Sequence, residues 1–512
     1  MYGDIVESRR IKAYEENASW LGVSTLNLME CAGKCVAEFV HKNFKVNEYK
    51  RVIVVAGKGG NAGDGFVAAR HLASLGYIVD VVLLYSDEQI THPDAKTNFL
   101  ILRKIEGGRV KIWDFDKLNS LLSEGGIVID AILGTGIRGE LRFPISDAIE
   151  KINASGNPVI AVDIPSGIDP DSGRPAIKGG EPLAIKASYT ITMHYYKPGL
   201  AKPNEYAGKI ELCNVGIPEE AEIIIGPGDV RNLLSLKSKD AKKGDGGVVT
   251  VIGGSVEYTG APSLASLAAL VSGSDLVFTA VPRSIKDVVS SFSPSIIAVE
   301  AGKDYLSQDY LPSLLPIIEK SHAIVVGPGM AYNETTCSFT EQLLKIISTK
   351  PLRAVVLDAD ALKCISTFKP KLNDRFVLTP HRGELSRLLS AYGIPESGDR
   401  KKDSMVLSTE LGGSIVLSKG PVDYICLKNY CREKRGGNPG MSVGGTGDVL
   451  AGMVASFAKR TPNAYDAACI ASFVNSYAGD ELYKKYNEFF TSEMLVQEIP
   501  RALSSILAYG KG

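Results

Sequence analysis

Gly444-Gly445-Thr446-Gly447-Asp448 sets four small residues ahead of one acid, and the apolar run Val449-Leu450-Ala451-Gly452-Met453-Val454 follows. This order describes a tight loop that opens a buried helix. The glycines let backbone N–H groups converge and a ligand come close, and the helix start adds partial positive charge. Such a loop favours an anion, phosphate above all. An acid at its end repels phosphate unless it has a chemical task. The task that suits Asp448 is taking a proton from a hydroxyl that attacks phosphorus. The loop alone reads equally as a plain helix start with a dipole-favoured acid.

The first half carries a second set of reactive positions. They lie in Gly57-Lys58-Gly59-Gly60-Asn61-Ala62-Gly63-Asp64-Gly65, in Asp130-Ala131-Ile132-Leu133-Gly134-Thr135-Gly136, and in Asp163-Ile164-Pro165-Ser166-Gly167. Each follows a short β-branched or apolar run: Arg51–Ala56, Ile127–Ile132 and Val159–Val162. Further strands are expected at Ile78–Tyr85, Val110–Trp113 and Tyr189–Met193, with helices between most of them and a helical lead-in over Ser8–Phe44. Alternation of this kind means a mostly parallel sheet covered on both faces. Ligands of such sheets gather beyond the carboxyl ends of the strands. Chain order therefore predicts that Asn61, Asp64, Asp130, Asp163 and Ser166 share one crevice.

Asn61, Asp130 and Ser166 offer an amide, a carboxylate and a hydroxyl, a hard oxygen set whose single charge suits K⁺ better than a tight Ca²⁺ cage. The same Asp130 and Ser166 serve equally well to satisfy loop N–H groups. Asp64 and Asp163 are the acids available for proton transfer. Gly57–Ala62 also fits the dinucleotide pattern G-x-G-x-x-G/A, with Asp80 near the ribose-binding offset. Against a dehydrogenase, Asp80 sits inside its β run and Asp64 stands where a pyrophosphate would lie.

A second series of strands begins at Val248–Ile252 and runs through Leu276–Ala280, Ile296–Val299, Ala323–Val326, Ala354–Leu357, Phe376–Leu378 and Ile415–Leu417. Between the series, Gly216–Val230 is rich in Pro and Gly and reads as the boundary, and Lys237–Asp245 as a solvated lead-in. At 512 residues two or three domains are expected. A net charge of -1 gives no global field for nucleic acid or an anionic membrane. The eight cysteines form no C-x-x-C pair, and together with a start that lacks an apolar signal core they predict reduced thiols in a soluble cytoplasmic protein. The six histidines show no zinc spacing.

Motif by motif, residues 1–215 resemble the NAD(P)H-hydrate epimerase domain, on Asn61 with Gly63-Asp64-Gly65, Asp130–Gly136 and Val162–Gly167. The resemblance implies interconversion of the R and S hydrates of NADH and NADPH, with K⁺ at Asn61, Asp130 and Ser166. It places substrate against Gly60, Asn61, Ala62, Gly63, Asp64, the loop Gly134, Thr135, Gly136, Ile137, Arg138, Gly139 and Glu140, and Asp163, which is also the expected catalytic acid or base.

Residues 240–512 resemble the ADP-dependent NAD(P)H-hydrate dehydratases of the ribokinase-like superfamily. Gly253-Gly254-Ser255, Tyr258–Pro262, Val326–Gly329, Asp358–Leu362, Thr379-Pro380-His381 with Gly383-Glu384, and Asn438–Met441 leading into Gly444–Asp448 carry the likeness. It implies that Ala261, Gly329, His381 and Asp448 hold the hydrate. Lys419, Gly420, Pro421, Val422 and Asp423 with Gly444, Gly445, Thr446 and Gly447 would hold ADP. Mg²⁺ waters would be oriented by Asp358 and Glu384. His381 also reads as a cap at a strand end, and Asp358 and Glu384 as braces of their loops.

The expected architecture is thus α/β in two domains, a Rossmann-like three-layer α/β/α domain over 1–220 and a ribokinase-like α/β domain over 221–512. A homo-oligomer is expected, with hydrated NADH or NADPH and ADP as ligands, and neither nucleic acid nor membrane as partner. Two rivals remain open on sequence: a ribokinase-like small-molecule kinase with an accessory N-terminal domain, and an N-terminal half that is a non-catalytic scaffold or RNA-binding module.

Overall fold

Val52, Ile53, Val54 and Val55 are all fully buried, so the run Arg51–Ala56 forms an interior strand covered on both faces. A computed structural model describes residues 2–136, 139–202 and 204–509, and the chain divides into the units Met1–Ala221 and Glu222–Gly512.

In the first unit Arg51–Ala56 is β1. Beside it run β2 (Ile78–Leu83) and β3 (Val110–Asp114) on one side, and β4 (Ile127–Ala131) and β5 (Val159–Val162) on the other. A small antiparallel hairpin, β6 (Ala176–Lys178) and β7 (Glu181–Leu183), stands apart. With β8 (Tyr189–Met193) and β9 (Lys209–Cys213) the sheet reads β3-β2-β1-β4-β5-β8-β9, every neighbouring pair parallel. Successive side chains of a strand point to opposite faces. Val52, Val54 and Ala56 accordingly join the core under helices Thr25–Asn43, Gly60–Ser74 and Pro93–Ile105, while Ile53 and Val55 join the core under Leu118–Glu124 and Ile145–Ala154. Strand order reverses between β1 and β4, and the crevice at their carboxyl ends is where ligands of such sheets sit.

Two local readings change. The expected helical lead-in is two helices, Ser8–Trp20 and Thr25–Asn43. Gly22, at φ 108°, ends the first, and Ser24 caps the second by accepting Asn27 N–H at 3.2 Å. The glycine-rich stretch after β1 becomes helical already at Gly60. The later glycines are there for packing: a Cβ at Gly63 would lie 2.4 Å from Met29 Sδ, and one at Gly65 2.6 Å from Ala131 Cβ.

The second unit has strands β10 (Val248–Ile252), β11 (Leu276–Val281), β12 (Ile296–Glu300), β13 (Ala323–Val326), β14 (Ala354–Leu357), β15 (Phe376–Leu378), β16 (Ile415–Ser418), β17 (Asp423–Leu427) and β18 (Tyr430–Lys434). Their order is β12-β11-β10-β13-β14-β15-β16-β17-β18. It is parallel through β16 and antiparallel beyond, an extension that the short polar-interrupted runs of β17 and β18 do not announce. The helix Thr446–Phe457 is buried from Val449 onward. A Cβ on its Gly452 would stand 2.0 Å from Ala265 O, so helix Gly260–Val271 crosses it backbone to backbone.

The stretch expected as a loose boundary is partly core of the second unit. Asp229 is fully buried and takes two bonds from the equally buried Arg432 guanidinium, at 2.5 and 3.0 Å. The expectation of reduced thiols also fails. Disulfides join Cys35–Cys213, Cys337–Cys364 and Cys426–Cys431, while Cys31 and Cys469 form no disulfide. Folding brings together cysteines up to 178 residues apart, and Cys426 faces Cys431 across β17 and β18, pairings that sequence spacing does not reveal. Among the described residues no helix is long and apolar enough to cross a membrane.

Two candidate active sites

A cavity of about 560 Å³ opens where β1, β4, β5 and β8 of the first unit end. Asn61, Asp64 and Asp163 line it, as sequence order predicts, together with Gly60, Gly134, Thr135 and Gly136, whereas Asp130 and Ser166 are not on its wall. Asp163 holds an unusual backbone for a non-glycine residue, φ 64°. Its carboxylate accepts Met193 N–H at 3.0 Å and an ion pair from the buried Lys197. Lys197 Nζ also donates to Thr192 Oγ1 at 3.1 Å and Met193 O at 3.2 Å.

Asp130 and Ser166 meet deep beside the crevice, both fully buried. Asp130 accepts Ser166 N–H at 2.8 Å, Ser166 Oγ–H at 2.6 Å and Ile132 N–H at 3.3 Å. Ser166 Oγ accepts Leu133 N–H at 2.8 Å, and Asn61 Nδ2 donates to Leu133 O at 3.0 Å. The bracing role of Asp130 and Ser166 is therefore real. Burial pushes the Asp130 carboxyl up to about 6 against these hydrogen bonds, and among the described residues no lysine or arginine pairs with it. A buried carboxylate with no lysine or arginine beside it among the described residues, next to the Ser166 hydroxyl, which itself reaches the Leu133 carbonyl, fits K⁺.

Not every expected contact lies on the cavity. Ala62 and Gly63 turn into the core, because the helix begins at Gly60 and that face packs on Thr25–Asn43. Gly139 and Glu140 are away from the cavity wall, and Glu140 instead accepts Gly179 N–H at 2.7 Å. Ile137 and Arg138 lie outside the described residues. Asp80 is no ribose ligand: it is buried mid-strand, accepting Trp113 Nε1–H at 2.8 Å and pairing with Arg51 Nε at 3.3 Å. Among the cavity residues that escaped sequence reading are Lys197 and Glu15. Lys197 opens Lys197-Pro198-Gly199 just past β8, where the strand-end rule pointed; Glu15 sits on Ser8–Trp20, where no pattern marks it. Burial and the Asp163 charge push Glu15 up to about 7, and burial with the charges of Asp163 and Glu15 raises Asp64 as well.

In the second unit a cavity of about 860 Å³ is lined by His381, Lys419, Gly420, Pro421, Asp423, Thr446 and Gly447. Gly445 takes φ 95° as the cap of Thr446–Phe457, and a Cβ there would lie 2.6 Å from Leu264 Cδ1 and 2.7 Å from Ser492 Oγ. A Cβ on Gly447 would be 3.1 Å from Lys419 Nζ, so the glycine loop and Lys419 meet. Lys419 pairs with Asp358 at 2.9 Å, and Asp358 also accepts Thr379 Oγ1–H at 2.7 Å. Arg400 donates to Lys419 O at 2.6 Å and to Val422 O, and Val422 is not on the cavity wall. Asp423 braces the same turn, accepting Gly420 N–H at 2.9 Å and Ser472 Oγ–H at 2.6 Å.

Asp448 makes no hydrogen bond or ion pair among the described residues. Burial first, then the charges of Asp358, Asp360 and Glu384, push it up to about 8 against the pull of Lys419. Glu384 is raised too, chiefly by burial. This excess of negative charge fits a divalent cation. Among the described residues no three acidic, histidine or cysteine ligands form a cage, so Mg²⁺ fits here in company with phosphate and water. His381 is a helix cap, its Nδ1 accepting Gly383 N–H at 3.0 Å, yet its ring is exposed on the cavity. Ala261 and Gly329 stand together near Tyr258: a Cβ on Gly329, at φ 63°, would be 3.1 Å from Ala261 Cβ.

Comparison with known proteins agrees with this division. Residues 25–199 match a family model described as the YjeF-related protein N-terminus, and residues 249–501 one described as NAD(P)H-hydrate dehydratase. The chain is similar to the bifunctional NAD(P)H-hydrate repair enzyme of Pyrobaculum aerophilum, 38% identical with 96% of both chains covered. It is also similar to that of Archaeoglobus fulgidus, 40% identical with 98% of both covered. In fold, the crystal structure of a ribokinase-like superfamily protein from Enterococcus faecalis matches 56% of this chain and 96% of its own, at 23% identity and a TM-score of 0.50. The chain belongs to the family of bifunctional NAD(P)H-hydrate repair enzymes.

Proposed function

We propose that residues 1–220 interconvert the R and S hydrates of NADH and NADPH, and that residues 221–512 dehydrate the S hydrate with ADP, leaving AMP and phosphate. The observation that carries this reading is Asp448, a half-buried carboxyl without a hydrogen-bond or ion-pair partner among the described residues, on the first turn of the helix that follows a glycine loop meeting Lys419. Hydroxide leaves poorly and phosphate leaves well. Asp448 takes the proton of the hydrate's hydroxyl, whose oxygen attacks the terminal phosphorus of ADP as the bond to AMP breaks. The Gly444–Gly447 amides and Lys419 meet the developing charge. Loss of phosphate together with a ring proton then restores the dihydronicotinamide.

Ala261, Gly329 and His381 would orient the hydrate, and Lys419–Asp423 the nucleotide. Asp358 and Glu384 would hold Mg²⁺ with the nucleotide, and the ion would supply charge neutralisation. In the first unit Gly60, Asn61, Asp64, Gly134–Gly136 and Asp163 would contact substrate, with Asp163 in proton transfer and K⁺ at Asn61, Asp130 and Ser166. A homo-oligomer is part of this proposal. The cytoplasm is the proposed site of action, where three disulfides are unusual except in proteins of hyperthermophiles.

The test is incubation of both NADH hydrates with the protein, Mg²⁺ and either ADP or ATP. Complete recovery of NADH with AMP formed from ADP is expected. Accumulation of a stable phosphorylated hydrate, or persistence of the R hydrate, overturns the reading.

A further inference from the structure

The helix Ser8–Trp20 precedes the first strand, outside every strand-end loop, yet it turns Lys12 and Glu15 onto the first cavity. Glu15 makes no hydrogen bond or ion pair among the described residues. Glu15 is half-buried on the cavity wall, and a carboxyl held partly away from water is normally paired. The charged and titratable groups around it come from several elements: Asp64 from Gly60–Ser74, Asp163 after β5, Lys197 after β8, and Lys12 and Glu16 on its own helix. Asp163 is already engaged by Lys197 and by Met193 N–H. Glu15 is thus a free carboxyl on the opposite side of the sequence from every motif, facing the same space.

The configuration of a hydrate changes when the bond between ring carbon and hydroxyl oxygen breaks and re-forms on the other face. The hydroxyl leaves as water only when a proton reaches its oxygen. As that C–O bond breaks, the lone pair of the ring nitrogen forms a C=N bond. Water then adds from the opposite face, the electron pair returns to nitrogen, and the extra proton goes back to its donor. Atoms and electrons balance with no oxidant, reductant or co-substrate. We propose that Glu15 is the catalytic acid–base that delivers and recovers this proton, an assignment that rests on the epimerase reading of the first site. Burial and the Asp163 charge push its carboxyl up to about 7, so both of its forms are populated at neutral pH.

The test uses the full chain and R hydrate alone, without nucleotide, following the appearance of S hydrate by chromatography between pH 5.5 and 8.5, a range spanning roughly 1.5 units on either side of that value. Glu15→Gln should lower kcat about 100-fold while KM moves less than about threefold, and should erase the limb near pH 7. Glu15→Asp should keep a limb, moved to lower pH. A Glu15→Gln enzyme within about threefold of the parent, with its limb intact, overturns the assignment alone. A parent that does not interconvert the hydrates overturns the epimerase reading and the assignment together. Thermal unfolding of each variant guards against misfolding; where Glu15→Gln does not fold, Glu15→Asp decides, an unmoved limb counting against Glu15.

Discussion

Lys419 donates its ammonium to Asp358 at 2.9 Å, and Asp448 is left outside that ion pair. Lys419, which reaches the glycine loop, is therefore committed, and burial and the neighbouring acids push Asp448 up to about 8. The base form is the carboxylate, so kcat/KM for dehydration should rise with pH, about tenfold per unit below pH 8, and level off above it. A profile of kcat/KM for S hydrate checks this. Flat behaviour from pH 6 to 9, roughly two units below that value to one above, would remove Asp448 as the base.

Asp448→Asn separates chemistry from stability. Dehydration should fall by about 10³ or more, within the range for loss of a general base, while epimerisation by the first unit persists. Stability should move the other way. The folded carboxyl titrates near 8 and the unfolded one near 3.8, so the native state loses stability as pH rises through that window. Asn carries no such charge. The variant's melting temperature should exceed the parent's at pH 8, and the gap should close toward pH 4. A variant that melts lower than the parent at pH 8 would mean the carboxylate is compensated by something other than Lys419.

Much of this was legible in the chain. β-branched runs located the parallel strands, and the strand-end rule brought Asn61, Asp64 and Asp163 to one cavity, with Asp130 and Ser166 buried beside it rather than on its wall. What it missed has physical reasons. Glu15 acts across the fold from a helix whose apolar spacing says only that it packs. Ala62 and Gly63 were expected on the substrate, but helix periodicity turns them inward once the helix begins at Gly60. β17 and β18 pair locally with antiparallel register, and their charged residues, such as Arg432, are buried by a partner more than 200 positions away, Asp229. The disulfides depend on the same long-range folding, which residue spacing does not encode.

Lys197 should matter to stability as well as to epimerisation. It is 1% exposed and its partner Asp163 16%, so Lys197→Met would leave a largely buried carboxylate unpaired. Breaking such a pair from one side costs about 3 kcal/mol or more. Lys197→Arg should not restore activity, because the ammonium also bonds Thr192 Oγ1 and Met193 O in a closed site that a planar guanidinium does not match. Chemical denaturation and the R-to-S assay check both parts. A Lys197→Met protein as stable as the parent would show that Asp163 finds water instead.

Potassium should stabilise the first unit in a pH-dependent way. Asp130 is wholly buried without a cation, and its folded carboxyl titrates near 6, above the ordinary 3.8. Without a counter-ion, stability is therefore lost as pH rises through about 6; a bound K⁺ returns it by favouring the ionised form. At a concentration about 100 times its dissociation constant, K⁺ adds about 2.7 kcal/mol. Replacing choline chloride by potassium chloride at pH 8 should raise the first unfolding transition, and the rise should shrink below pH 6, where the carboxyl is protonated. Asp130→Asn should melt alike in both salts at every pH, because the charge that draws the cation is gone while an amide oxygen still accepts Ser166 N–H. Equal melting of the parent in potassium and choline at pH 8 would assign Asp130 and Ser166 to bracing the loop alone.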